Sequence, residues 1–266
     1  MPEASIAERA LATAQTSVRL KIKRQDGPTS KSYWEEFTVP YAKNMNVISA
    51  LQQVQRNPKT AGGKETAPVV WECNCLEEVC GACTMNINGR VRQACSALID
   101  DPTVGREITL EPMEKFPVKR DLWVDRQRIF KDLKKSKAWI NIDGTHDLGP
   151  GPRYSEKTQE WRYKLSECMS CGCCMEACPQ YTKEGNFIGA AVIGQVVLFN
   201  DHPSGKMHAH DRIEATMGPG GLTECGNAQN CVEVCPKHIP LTEAIANLGR
   251  QHTLHMLRKL FGGAKS

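Results

Sequence analysis

Residues 168–179, CMSCGCCMEACP, crowd five cysteines into one short run, and the chain of 266 residues holds 13 in all. An odd number argues against complete disulfide pairing. The opening MPEASIAERALATAQ also lacks the basic segment and apolar stretch of an export leader. The expectation is therefore a reduced compartment in which thiolates hold metal. Cysteines at short fixed spacing present several soft sulfur ligands to one centre, which suits iron–sulfur clusters or zinc.

Three groups can be read from the spacing. Cys75, Cys80, Cys83 and Cys95 give C-x4-C-x2-C and a distant fourth cysteine, the spacing of plant-type [2Fe–2S] centres. Gly81 lets the backbone pass close between two ligands. The alternative is a four-thiolate zinc site. Zinc favours paired C-x2-C knuckles, and only one such pair is present. Cys73 fits no position in the frame; it reads as a free thiol near the cluster, with an exchange of ligands with Cys75 as the alternative.

The other two groups are an internal repeat, CMSCGCCMEACP from Cys168 and CGNAQNCVEVCP from Cys225. The first copy is C-x2-C-x2-C-x3-C-P. In two-cluster ferredoxins the fourth cysteine of such a run ligates the other cluster. By that exchange Cys168, Cys171 and Cys174 share a centre with Cys235, while Cys178 joins Cys225 and Cys231. The place of Cys171 is taken in the second copy by Ala228, which cannot bind iron. Four thiolates suit [4Fe–4S] and three suit [3Fe–4S]; the rival is a four-iron cluster with an open, catalytic iron. Cys173 falls out of frame, as a buried bystander. Cys174 and Cys178 lie about 6 Å apart along a helical turn, so the two centres must be neighbours.

The elements that must position these residues differ between the two halves. SVRLKIKR and YWEEFTV alternate as strands, NVISALQQVQ has helical period with Asn46 as its cap, and Asn88-Gly89 marks a hairpin. REITLEPM adds a last strand. Residues 1–117 are therefore expected to be a small α+β domain of β-grasp type. From about residue 118 the strand pattern stops, and residues 118–266 read as a helical domain stapled by metal. Its expected helices are DLWVDRQRIFKDLKKS, EKTQEWRYKLSECM, GAAVIGQVVLFN, HDRIEATM and LTEAIANLGRQHTLHMLRKLF. The breaks between them include DLGPGPR and MGPGGL. GPGG resembles a phosphate cradle only superficially, because no P-loop lysine follows.

Composition narrows the function. Hydrophobic residues make up 40% and charged residues 24%, as in a folded soluble protein. The longest apolar stretch, residues 187–199, is too short for a bilayer that needs about 20 residues. Net charge is only +4. The basic stretch 115–137 reads as a solvated helix face that docks on a partner subunit rather than as a nucleic-acid patch, with Trp123, Ile129, Phe130 and Leu133 on its apolar side. His202, His208 and His210 read as surface or structural histidines. No nucleophile–base constellation and no G-x-G-x-x-G is present, so a relay for single electrons is expected rather than a substrate site.

CLEEVCGAC with its distant cysteine, then CMSCGCCMEACP, then CGNAQNCVEVCPKHIP resemble, in order, the iron–sulfur subunit of succinate dehydrogenase and fumarate reductase. The resemblance runs from about residue 17 to 258. It implies a β-grasp plant-type 2Fe-2S ferredoxin domain followed by an all-helical bacterial-type two-cluster ferredoxin domain. It also implies electrons passing from an FAD-bearing flavoprotein subunit through [2Fe–2S], [4Fe–4S] and [3Fe–4S] clusters to quinone at a membrane anchor. Succinate chemistry would then belong to the flavoprotein. The chain would be peripheral, on the cytoplasmic face of the inner (plasma) membrane. Ubiquinone-reducing relatives tend to carry a tryptophan shortly after the cysteine matching Cys178; here PQYTKEG has Thr182 and Lys183. That segment resembles the branch with a dihaem cytochrome b anchor and menaquinone. Other flavoenzyme iron–sulfur subunits, with two complete four-iron motifs, are disfavoured by Ala228 and by the plant-type motif.

Overall fold

The computed structural model describes residues 16–141 and 152–261. The opening segment 1–15 and residues 147–151 of the expected DLGPGPR break lie outside the described residues. The chain divides into two units, Met1–Asp125 and Arg126–Ser266.

In the first unit, β1 (Ser17–Arg24) pairs antiparallel with β2 (Tyr33–Pro40) in the register Leu20 to Phe37. Alternation decides which face is inward: Val18, Leu20, Ile22 and Arg24 are all buried. Helix α1 (Val47–Arg56) covers that face with Val47, Ile48, Ala50, Leu51 and Val54. Each fully buried Val, Leu or Ile contributes about 1.5–3 kcal/mol. Asn46 caps the helix, its Oδ1 accepting from Ser49 N at 2.9 Å. β3 (Thr84–Ile87) and β4 (Arg90–Gln93) form the expected hairpin. Asn88 and Gly89, at φ 51° and 77°, supply the two left-handed residues of a type I′ turn. β5 (Glu107–Glu111) runs parallel to β1 and antiparallel to β3, completing a mixed sheet of order β2-β1-β5-β3-β4.

The strand pattern does not stop at residue 118. Val118–Arg120 (β6) and Trp123–Val124 (β7) pair antiparallel around Asp121, which is left-handed at φ 46° and fully buried. Helix α2 therefore starts only at Gln127 and ends at Lys135. Trp123 lies on a strand, and of the expected apolar face Ile129 is buried whereas Phe130 is 60% exposed.

After Arg126 the regular elements among the described residues are helices. Besides α2 they are α3 (Glu156–Ser166), α4 (Cys173–Glu176), α5 (Gly189–Asp201), α6 (Ala209–Met217), α7 (Asn230–Glu233) and α8 (Leu241–Phe261), with short 3-10 turns at Gly205–His208 and Leu222–Glu224. α5 is apolar on nearly all sides and buried along most of its length, so it forms the centre of this unit. Gly218–Gly221 is a turn, closed by Gly221 N donating to Gly218 O at 2.9 Å. No described helix is long and apolar enough to cross a membrane.

Candidate metal centres

Cys75, Cys80 and Cys83 sit on the loop before β3, and Cys95 follows β4. Leu76, Glu78 and Gly81 are left-handed, at φ 61°, 55° and 69°. These three reversals curl the backbone so that its N–H groups face sulfur. Glu77 N and Val79 N both donate to Cys75 Sγ at 3.4 Å, and Ala82 N donates to Cys80 Sγ at 3.4 Å. The two donors from Glu77 and Val79 pull the Cys75 thiol down to about 7, with the Cys80 side chain helping. Donors that stabilise a thiolate also stabilise the sulfur of a metal ligand.

Cys83 and Cys95 form the buried side of the group. Burial, then the neighbouring Cys95, push the Cys83 thiol up to about 12. Gln93, at the end of β4, donates through Nε2 to Thr84 Oγ1 at 2.8 Å and receives the Cys83 thiol at 3.6 Å. Asn46 donates to Cys95 O at 2.8 Å, so the helix cap also holds the backbone of the fourth cysteine. Cys73 is exposed.

The second and third groups repeat in backbone as well as in sequence. In the first copy Ser170 and Gly172, at φ 52° and 89°, flank Cys171; in the second Asn227 and Gln229, at φ 53° and 65°, flank Ala228. Each second left-handed residue is the N-cap of a one-turn helix, α4 or α7. Cys178 N donates to Met175 O and Cys235 N to Val232 O. Ala228 thus occupies the backbone position of Cys171 while lacking its sulfur. Gln229 adopts, at a steric cost, the conformation that Gly172 adopts freely.

The cysteines separate into two pockets. One is lined by Cys168, Cys171, Cys174 and Cys235, with Cys173 beside them. The other is lined by Cys178, Cys225 and Cys231, with Ala228 in its wall. Mutual electrostatics follow the same division. Burial and then the charges of Cys171 and Cys235 raise Cys168 despite a hydrogen bond from Ser170, while burial and then Cys178 and Cys225 raise Cys231 to about 11. Cys174, buried, is raised well above its ordinary value by burial first, then by Cys171, Cys168, Cys235 and Cys231. Asn230 Nδ2 of the second copy donates to Ala177 O of the first at 2.9 Å, which makes the pockets neighbours. Such buried thiols gain most from a bound cation that takes the place of the proton. The donor sets therefore fit sulfur-ligated clusters.

Cys173 stands beside the second group. It is fully buried, and its hydrogen bond to the Cys171 sulfur is the main reason that thiol is drawn below its ordinary value, with Arg126 adding to the effect. Its position between ligands gave no sequence signal for that contact. The histidines also sort differently from their sequence order. His210 lies with Glu214 and His255, not with His202 and His208.

Two family models match the chain: a 2Fe-2S iron-sulfur cluster binding domain over residues 19–131 and a 4Fe-4S dicluster domain over residues 164–239. The succinate dehydrogenase iron-sulfur subunit of Bacillus subtilis (strain 168) is 56% identical over 248 residues, covering 93% of this chain and 97% of that protein. The fumarate reductase iron-sulfur subunit of Wolinella succinogenes is 30% identical over 224 residues, covering 84% and 90%. A chain of the solved Mycobacterium smegmatis Sdh1 complex in the apo form shares the fold at a TM-score of 0.75. It is 24% identical, and the match covers 94% of this chain and 99% of that one.

Proposed function

The chain belongs to the iron–sulfur subunits of succinate dehydrogenase and fumarate reductase, and we propose that it connects an FAD-containing flavoprotein subunit to membrane quinone. In this reading Cys75, Cys80, Cys83 and Cys95 hold [2Fe–2S]. Cys168, Cys171, Cys174 and Cys235 hold [4Fe–4S], and Cys178, Cys225 and Cys231 hold [3Fe–4S]. Bound clusters of these kinds supply reversible one-electron chemistry.

What the chain itself supplies is position, burial and hydrogen bonds. Met1–Asp125, which takes in the β6–β7 ladder beyond the expected limit at residue 117, acts as a β-grasp plant-type ferredoxin domain, and Arg126–Ser266 as a helical two-cluster domain. The N–H groups of Glu77, Val79 and Ala82 favour the electron-rich state at Cys75 and Cys80. Burial of Cys171, Cys174 and Cys235 limits the access of water to the second centre. Ala228 withholds a ligand from the third. Succinate or fumarate chemistry lies on the flavoprotein, as membership of this family implies. The quinone side is assigned to a cytochrome b anchor of dihaem type with menaquinone, on the cytoplasmic face of the membrane. Thr182 and Lys183 in PQYTKEG support that branch.

The observation that carries the reading is the division of the repeat cysteines between two pockets, with Cys235 crossing to the first copy and Cys178 to the second. Paired variants test it. Cys235→Ala should abolish the four-iron signal and leave the three-iron EPR signal, and Cys178→Ala should do the reverse. If Cys235→Ala instead removes the three-iron signal alone, ligation follows sequence order and the assignment fails.

A further inference from the structure

Away from the cysteines, α6 and α8 bring together three side chains that no cluster uses. His210 and Glu214 stand at i and i+4 on α6, on one face of the helix. His255 comes from the neighbouring α8. Glu214 Oε1 lies 3.6 Å from His210 Nε2 and 3.4 Å from His255 Nε2. All three ligating atoms fall within 4.8 Å of one another.

We propose that His210, Glu214 and His255 form a binding site for a divalent transition-metal ion of the zinc class. Tetrahedral zinc with bonds of about 2.0–2.2 Å places its ligand atoms about 3.3–3.5 Å apart. Two edges of the triangle are already near that length, and the third closes by movement of His210, whose side chain is 60% exposed. The buried corner is preset: the His255 side chain is 10% exposed, and its Nε2 is enclosed without a hydrogen bond among the described residues. The two imidazole rings stand edge to face, with centroids 4.7 Å apart. Two nitrogens and one carboxylate select zinc, nickel or copper over magnesium or calcium, which require mostly oxygen ligands. Three protein ligands leave room for water.

A cation already marks the place. The Lys259 ammonium pairs with Glu214 Oε1 and holds that carboxyl below its ordinary value. An incoming divalent ion must displace it. The lysine is therefore a competitor, and removing it should strengthen metal binding.

The test is calorimetric titration of Zn2+ into the full-length, cluster-loaded chain after a chelator wash, with cluster absorbance followed throughout. The wild-type chain should take up one Zn2+ at micromolar concentration with its cluster absorbance unchanged. His210→Ala, an exposed change, should weaken that binding at least tenfold while leaving iron content and unfolding temperature as they were. Lys259→Gln should tighten it severalfold. Equal binding by the wild-type chain and His210→Ala would overturn the proposal, as would weaker binding by Lys259→Gln.

Discussion

Replacing Asp121 by alanine removes the anchor of the segment that leads into the first cysteine loop. Asp121 Oδ1 accepts from Arg24 Nε at 2.9 Å and from Gln25 N at 3.1 Å, and Oδ2 accepts from Val70 N at 2.9 Å. Both charged side chains are fully buried. Burial works against the Arg24 charge, but Asp121, with help from Glu35, outweighs it and holds the guanidinium above its ordinary value. Alanine would leave Arg24 with Glu35 and the carbonyls of Ala67 and Pro68, and would deprive Val70 N of its acceptor. Breaking one side of a buried pair costs about 3–5 kcal/mol, a large part of a total stability of about 5–15 kcal/mol. At about 4 °C or more per kcal/mol for a unit near 100 residues, the midpoint of the first unit should fall by about 12 °C or more. Thermal unfolding followed by circular dichroism, together with bleaching of the two-iron absorbance, measures it. The control is Glu107→Ala, which breaks an ion pair with Arg19 whose side chains are 71% and 82% exposed; exposed pairs contribute about 0–1 kcal/mol. Should Asp121→Ala cost no more than this control, the buried pair does not anchor the loop.

Three further outcomes are expected. Asn46→Ala loses the α1 cap and the hydrogen bond to Cys95 O, costing about 1–2 kcal/mol; urea unfolding should show that loss together with earlier release of the two-iron centre. Ala228→Cys restores sulfur at the position matching Cys171, so the three-iron EPR signal should disappear and iron rise by about one atom per chain; an unchanged signal would mean that the repeats are misaligned. His252 is buried with Nε2 2.9 Å from Thr216 Oγ1, and burial, then His255, lower its pKa below 6.5. The unfolded chain therefore binds the proton first, so this contribution to stability is full above pH 6.5 and declines as pH falls below it. Urea midpoints at pH 7.5 and 5.5 should differ more in the wild-type chain than in His252→Gln, and equal differences would contradict the assignment.

Local signals were legible in the sequence. Alternation fixed the inward face of β1, Asn46 announced the start of α1, and Asn88-Gly89 announced the hairpin, because each depends on neighbours in the chain. The place of Ala228 was legible through the repeat, which the backbone follows down to its left-handed residues. Tertiary partners were not. The β6–β7 ladder is too short and too charged to alternate visibly, and its turn depends on Asp121 meeting Arg24 from a distant strand. The contact of Cys173 with Cys171, and that of His210 with His255, likewise join residues whose proximity is created by the helices. The sequence places His210 near His202 and His208, and only the packing of α6 on α8 gives it different partners.

In the proposed function, sulfurs from three cysteine groups hold three clusters in one chain. Iron analysis of the native, anaerobically purified subunit, combined with EPR of its oxidised and reduced forms, tests it most directly. About nine iron atoms per chain are expected, with a three-iron signal on oxidation and two-iron and four-iron signals on reduction. About four iron atoms per chain, or no three-iron signal in intact oxidised protein, would contradict it.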